Sequence, residues 1–264
     1  MGTTNSRDDP RTVAELVRAA LQSADEDEAW RAVRALHWRG SREVLEAALA
    51  LCLSASPRER AWGADILGQI GVEERAFPEE CFRAVDRLLR EDAAPEVLAA
   101  AAHAMGYLGD ARGVPALARL AGHPREDVRL GVARALGGRD EPEAVATLLG
   151  LTGDADGDVR DWATFGLGSL GSLGEADGAA VREALLRRLG DPHGDTHFEA
   201  VCGLARRRDE RAVPPLVELL RSDPDNLCLR EAAHGLLGGG RDGWPTGELL
   251  ERLERPSGTT AGRT

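Results

Sequence analysis

The stretch DVRLGVARALGG begins at Asp127, and thirty-one residues later, at Asp158, the chain reads DVRDWATFGLGS. A near-copy at a fixed interval constrains the fold strongly, because a short recurring unit cannot bury its apolar face alone and must stack on its neighbours. With the valine of the V-R pair as phase marker, Val97, Val128 and Val159 follow one another at thirty-one residues, and nine residues after each stands Gly106, Gly137 or Gly168. Weaker copies pair Glu28 with Leu36, Glu59 with Leu67 and Gly68, Thr196 with Leu204, and Leu229 with Leu237 and Gly238. Seven units result, preceded by a capping helix over residues 11–25.

Each unit reads as two short amphipathic helices. In the fourth, Val128, Val132, Ala135 and Leu136 fall on one helical face, and Gly137-Gly138 ends the helix by tolerating positive φ. Pro142 then opens a second helix, with Val145, Leu148, Leu149 and Leu151 as its apolar stripe. Aromatic residues are only 4% of the chain, and the apolar positions show no period of two. An all-α fold is expected. Every basic residue is arginine, which reflects a GC-rich, bacterial coding genome.

The turns repeat too. Asp110, Asp140, Asp209 and Asp242 precede second helices, where a carboxylate accepts backbone hydrogen bonds and meets the positive end of the helix dipole. Arg60, Arg129, Arg160 and Arg230 each follow an anchor, and stacking brings such side chains into ladders with acids of neighbouring turns.

The segment EDVRLGVARALGGRDEPEAVATLLGL resembles a HEAT repeat, in the short bacterial form called the PBS lyase HEAT-like repeat. The third, fourth and sixth units match it well. The first two depart where Glu28 and Glu59 take the anchor, and the fifth where Trp162 and Phe165 enlarge its first helix. The resemblance covers roughly residues 26–254 and implies a right-handed α-α superhelix. In that family the first helices lie outside and the second helices line a concave binding face. Glu46, Arg83, Arg87, Arg119, Arg187, Glu218 and Glu251 are the partner-binding candidates on the second helices, a mixture of signs.

The expected organisation is a solenoid over 11–254 between frayed polar tails at 1–10 and 255–264. Two units are longer than the rest, with inserted loops near 68–80 and 168–180 expected on one edge of the solenoid. No apolar stretch reaches the eighteen or so residues of a membrane span, so a cytoplasmic protein is expected. Cys52, Cys81, Cys202 and Cys228 are scattered and signal neither a zinc knuckle nor a redox pair.

No nucleophile with an attendant base stands out, and no phosphate-binding G-x-x-x-x-G-K-S/T loop is possible without lysine. The six histidines lack the paired His-Glu steps by which deoxyhypusine hydroxylase, a HEAT-repeat metalloenzyme, holds iron. HGDTHFE, with His193, Asp195, His197 and Glu199, is the one local cluster of metal-compatible side chains, and its place at a repeat junction favours capping. No cofactor or metal is expected. HEAT-like DNA glycosylases suggest a comparison with Trp30, Trp38, Trp62, Asp161 and Trp162, but a net charge of −12 opposes phosphate binding. Bilin lyases of the same family are a second enzymatic alternative. The sequence points to a non-catalytic scaffold or adaptor gripping another protein, one with a basic surface, in an immunity-type or regulatory role.

Overall fold

The computed structural model describes residues 6–171, 178–238 and 243–255. Among them every regular element is helical. The chain divides into two compact units, residues 1–136 and 137–264, so that the boundary falls inside the fourth repeat. The first unit holds α1 (Val13–Gln22), α2 (Glu26–Arg39), α3 (Arg42–Leu51), α4 (Pro57–Gln69), α5 (Pro78–Glu91), α6 (Pro95–Leu108), α7 (Val114–Ala118) and α8 (Glu126–Leu136). The second holds α9 (Pro142–Leu151), α10 (Gly157–Phe165), a π-helical turn Gly166–Leu170 that continues it, α11 (Ala179–Arg188), α12 (Gly194–Arg206), α13 (Val213–Ser222), α14 (Leu227–Leu237) and α15 (Thr246–Glu254). The cap is α1, and the seven pairs begin with α2, α4, α6, α8, α10, α12 and α14.

Local chemistry sets these boundaries. Proline stands at the first turn of α4, α5, α6 and α9, where its missing N–H has no intrahelical partner to lose. Thr12 and Glu15 form a reciprocal capping box on α1, and Asp25, Ser41, Asp156 and Asn226 cap α2, α3, α10 and α14. The repeat phase holds even where the anchor is polar. Four, seven and eight residues after Glu28 and Glu59 stand Ala32, Ala35 and Leu36, and Gly63, Ile66 and Leu67, all buried. Val132, Ala135 and Leu136 occupy the same offsets from Val128 and are buried likewise. Glutamate is tolerated because an anchor lies in the first turn, where its carboxylate can reach outward; Glu59 accepts a hydrogen bond from Ser54 Oγ at 2.6 Å.

Two of the expected turn acids act as caps. Asp110 accepts from the Arg112 amide at 2.9 Å and Asp209 from the Arg211 amide at 3.1 Å, each also holding that arginine's side chain. At α9 the cap position is Glu141, without a side-chain bond, rather than Asp140. Asp242 lies outside the described residues. The loop of the second repeat folds back on the first: the amide of Gly71 donates to His37 O at 2.7 Å and that of Ala76 to Ile70 O at 3.1 Å. Much of the loop near 168–180 is outside the described residues. Of the two polar tails, residues 1–5 and 256–264 are likewise outside. Ser6–Asp8 forms a 3-10 turn, and Arg39 Nη2 donates to Asp9 O at 2.8 Å.

The expected helix end at Gly137-Gly138 holds, since α8 stops at Leu136 and Gly138 takes positive φ, but the glycine nine residues after other anchors does something else. Gly106 lies inside α6, and a Cβ there would sit 2.9 Å from Ala135 Cα of α8. At the same offset Gly68 of α4 faces Ala104 Cα at 2.8 Å, and Gly168 faces Gly203 Cα of α12 at 3.2 Å. Positive φ is supplied by other glycines, Gly109 after α6 (68°) and Gly138 after α8 (78°). The phase glycines therefore let successive first helices touch backbone to backbone.

A second periodic device is ionic. Arg60 grips Asp92, thirty-two residues on, through two bonds of 2.6 and 3.0 Å, and Arg160 grips Asp191 through two of 2.9 Å. The other Nη of each arginine reaches back to the turn before its own helix, to Ser54 O and Ala55 O from Arg60 and to Asp154 O and Ala155 O from Arg160. Arg129 does the same with His123 O and Pro124 O. One guanidinium thus ties two consecutive turns, a task that suits its planar fork of donors.

Two outcomes follow from these contacts. Gly106→Ala should lower stability by about 1–3 kcal/mol through overpacking against the α8 backbone. Gly122→Ala, with open space around its new methyl, should stay within about 0.5 kcal/mol of the parent in the same chemical denaturation series. The Asp191 carboxylate is 1% exposed, and Arg160 holds its pKa down to about 2. A depressed carboxylate contributes stability above its unfolded pKa and loses it as pH falls through the folded one. Asp191→Asn should therefore cost about 2 kcal/mol at neutral pH, the difference from the parent fading between about pH 4 and pH 2 in melts across that range.

Candidate functional site

In each first helix the offsets four, seven and eight from the anchor face the core, which leaves offsets two, six and ten on the opposite side. In the second unit those positions are Asp161, Phe165 and Ser169 from the fifth repeat, Phe198, Cys202 and Arg206 from α12, and Glu231 and Gly235 from α14. From Phe165 onward they line one cleft of about 530 Å³, together with Glu199, Cys228, Ala232 and His234. Phe165 and Phe198 supply aromatic rings there and Glu231 an acid, while Cys202 at the sixth offset of α12 is buried.

The wall contributed by the fifth repeat is held in an unusual backbone. A π-helical turn leaves carbonyls that regular helix geometry would have satisfied, and such turns are frequent at functional sites. Buried Arg207 fills the deficit, donating to Leu167 O at 2.8 Å, Gly168 O at 2.9 Å and Gly203 O at 3.0 Å. Arg206 Nη1 donates to Gly168 O at 2.8 Å and also to Ser169 O. Ser169 is thereby aimed at α12, where its hydroxyl donates to Glu199 Oε2 at 2.8 Å.

Negative charge gathers on this side of the unit. Burial raises the Glu199 carboxyl above its ordinary value against the bond from Ser169, and the charges of Asp161 and Asp195 add to the rise. Burial likewise raises Asp161, with Asp195 adding to it and His193 opposing, and its Oδ1 is buried without a hydrogen-bond partner among the described residues. The Cys202 thiol is buried and pushed up to about 12, which makes it inert, whereas Cys228 is exposed. His234, with Nδ1 buried and unpartnered among the described residues, stacks on Trp244 at 5.4 Å.

In the first unit the sixth offset reads Arg34, Asp65, His103 and Arg134 along α2, α4, α6 and α8. Burial alone pushes the Asp65 carboxyl up to about 7, and burial with the nearby Arg134 charge depresses His103. Trp30 and Trp62 meet edge to face at 4.9 Å, which makes Trp62 a packing residue, and Tyr107 stands 52% exposed at the tenth offset of α6.

The seven residues proposed from sequence lie elsewhere. Glu46, Arg83, Arg87 and Arg119 are in the first unit and Arg187, Glu218 and Glu251 in the second, all on second helices or just after them. All but half-buried Arg87 are exposed. Arg83 pairs with Glu79 one turn away at 2.8 Å and Glu251 with Arg255 at 3.9 Å. Arg87 lines a shallow depression with Cys52, Arg60 and Asp92. None of the seven reaches the cleft. The HGDTHFE residues point to separate partners: His193 Nδ1 meets Thr196 Oγ1 at 3.1 Å, His197 Nδ1 meets Leu189 O at 2.7 Å, and Glu199 meets Ser169. Among the described residues no group of three or more His, Cys, Asp or Glu side chains is placed to hold a metal ion. Phe165, Phe198, Cys228 and Glu231 were not singled out as a binding surface by sequence reasoning. Reading the sixth and second offsets down the repeats would have found Phe165, Phe198 and Glu231, but not Cys228, which precedes its anchor Leu229.

Comparison with known proteins agrees with this architecture. Protein YibA of Escherichia coli strain K12 is 25% identical over 206 residues, which is 76% of this chain and 72% of YibA. The crystal structure of E. coli YibA superposes with a TM-score of 0.70 at 23% identity, covering 93% of each chain. The complex of CpcE and CpcF of phycocyanin lyase from Nostoc sp. PCC7120 matches with a TM-score of 0.51 at 18% identity, covering 96% of this chain and 98% of that one. The family model described as HEAT repeats matches residues 84–168 and 167–237. With more than half of its length so matched, the chain belongs to the HEAT repeat family.

Proposed function

We propose that this protein is a non-catalytic scaffold or adaptor that binds another protein, one with a basic surface, and that it does so through the first-helix face rather than the second-helix face. The observation that carries this reading is the gathering of Phe165, Phe198 and Glu231, from the second and sixth offsets, with Glu199 around one cleft of the second unit. The glycine spacing supports the choice of face. Within each unit, glycine and alanine at the contacts let successive first helices approach backbone to backbone, which sets their outward positions side by side. A net charge of −12 favours a basic protein over nucleic acid, whose phosphates such a chain would repel. The phycocyanin lyase neighbour is itself a complex of two named chains, CpcE and CpcF, which supports a protein as partner. No described helix is long and apolar enough to cross a membrane, which accords with a place in the cytoplasm.

Affinity capture from native lysate tests both parts. A protein retained by the parent and by Arg83→Glu/Arg87→Glu/Arg119→Glu, yet lost by Phe165→Asp/Phe198→Asp, is the expected outcome. Loss by the arginine variant alone would return the site to the second helices, and no captured protein at all would end the scaffold reading. Turnover of a bilin adduct, or release of methylated bases from alkylated DNA by the pure protein, would replace it with an enzymatic one.

A further inference from the structure

The cleft of the second unit carries a more specific message about what enters it. Its apolar lining comes from Phe165 and Phe198, whose rings are half-buried, and its acids from Glu199 and Glu231. The one arginine on the wall, Arg206, turns its Nη1 to Gly168 O and Ser169 O of the π-helical turn and forms no ion pair with either acid among the described residues. His234 adds a ring nitrogen that has no partner among the described residues. Just beyond the rim, Asp161 and Asp195 crowd Glu199 with further negative charge. Two carboxylates without an ion-pair partner among the described residues, beside aromatic faces, are complementary to one kind of group: a flat cation with an apolar stem.

We propose that this cleft is a pocket for an arginine side chain of the partner protein, its guanidinium stacking on the phenylalanine rings and its charge shared by Glu199 and Glu231. A guanidinium suits it better than an ammonium because it is planar, stacks on aromatic rings, is weakly hydrated and can donate to two carboxylates at once. At about 530 Å³ the cleft is of the size that small-molecule sites occupy, so it holds a whole arginine side chain with its flanking backbone. The proposal rests on the scaffold reading above and names the chemistry of the partner's contact.

Cys228 supplies the readout. It lines the cleft and is exposed, whereas Cys52, Cys81 and Cys202 are buried, with thiols pushed up to about 12, 11 and 12. The alkylation rate of the full chain by neutral iodoacetamide therefore reports on the pocket, with Cys228→Ser giving the background. Acetyl-Gly-Arg-Gly-amide should slow the reaction by the factor 1 + [L]/Kd, about fivefold at ~4 Kd, while the citrulline peptide, of the same shape without the charge, should leave it unchanged. Glu231→Gln, a substitution at an exposed position that the fold does not require, should remove most of the protection, as should Glu199→Gln. Equal protection by both peptides, none by the arginine peptide up to its solubility limit, or full protection in Glu231→Gln would overturn the pocket. Failure here alongside successful protein capture removes only the arginine pocket, whereas failure of capture removes the scaffold itself.

Discussion

Backbone contact between successive first helices is the constraint on which the rest of this structure depends. Gly68 against Ala104 and Gly106 against Ala135 in the first unit, and Gly168 against Gly203 in the second, leave no room for a side chain between neighbouring helices. Close approach of this kind fixes the distance between repeats and the register in which they stack. The arginine clamps, Arg60 to Asp92 and Arg160 to Asp191, can span consecutive turns because that distance is constant. Insertions are tolerated in the loops but not in the helices, since a longer loop costs little closure entropy whereas a larger residue at the contact would push two backbones apart.

With the contact between first helices made by glycine and alanine, the side of each first helix that faces away from the core is free to carry other chemistry. In the second unit that freedom is used to gather Phe165, Phe198, Glu199 and Glu231 around one cleft. The π-helical turn belongs to the same logic. It moves Ser169 onto Glu199, and its carbonyls are satisfied by Arg206 and Arg207, side chains that cost less to order because several acceptors hold each of them. Burial raises the carboxyls of Asp161 and Glu199 above their ordinary values, and the charge of Asp195 adds to both rises.

Much of the fold was legible because repetition averages out local ambiguity. One copy of V-R followed by small residues and glycine says little, but Val97, Val128 and Val159 with Gly106, Gly137 and Gly168 specify the unit, its phase and its two helices. The phase of the first two repeats, where glutamate replaces the anchor, was open to within a few residues until the structure buried Ala32, Ala35 and Leu36 and Gly63, Ile66 and Leu67. The binding face was harder to read. Exposed charges on the second helices, such as Arg83 and Glu251, look available in sequence, yet in the structure they pair with Glu79 and Arg255 one turn away. His193, Asp195, His197 and Glu199 look like a ligand set because they are close in the chain. On a helix that begins at Gly194 they spread over different faces and find different partners.

Alone, the amino-acid sequence determined the all-α class, the seven helix pairs and their cap, because hydrophobic period, proline placement and capping residues act within a few residues of one another. Tertiary structure decided what the phase glycines are for, since a glycine that ends a helix and one that admits a neighbouring backbone are identical until the neighbour is in place. It also decided which residues meet in the cleft. Phe165, Glu199 and Cys228 lie tens of residues apart, and nothing local to any one of them records the others.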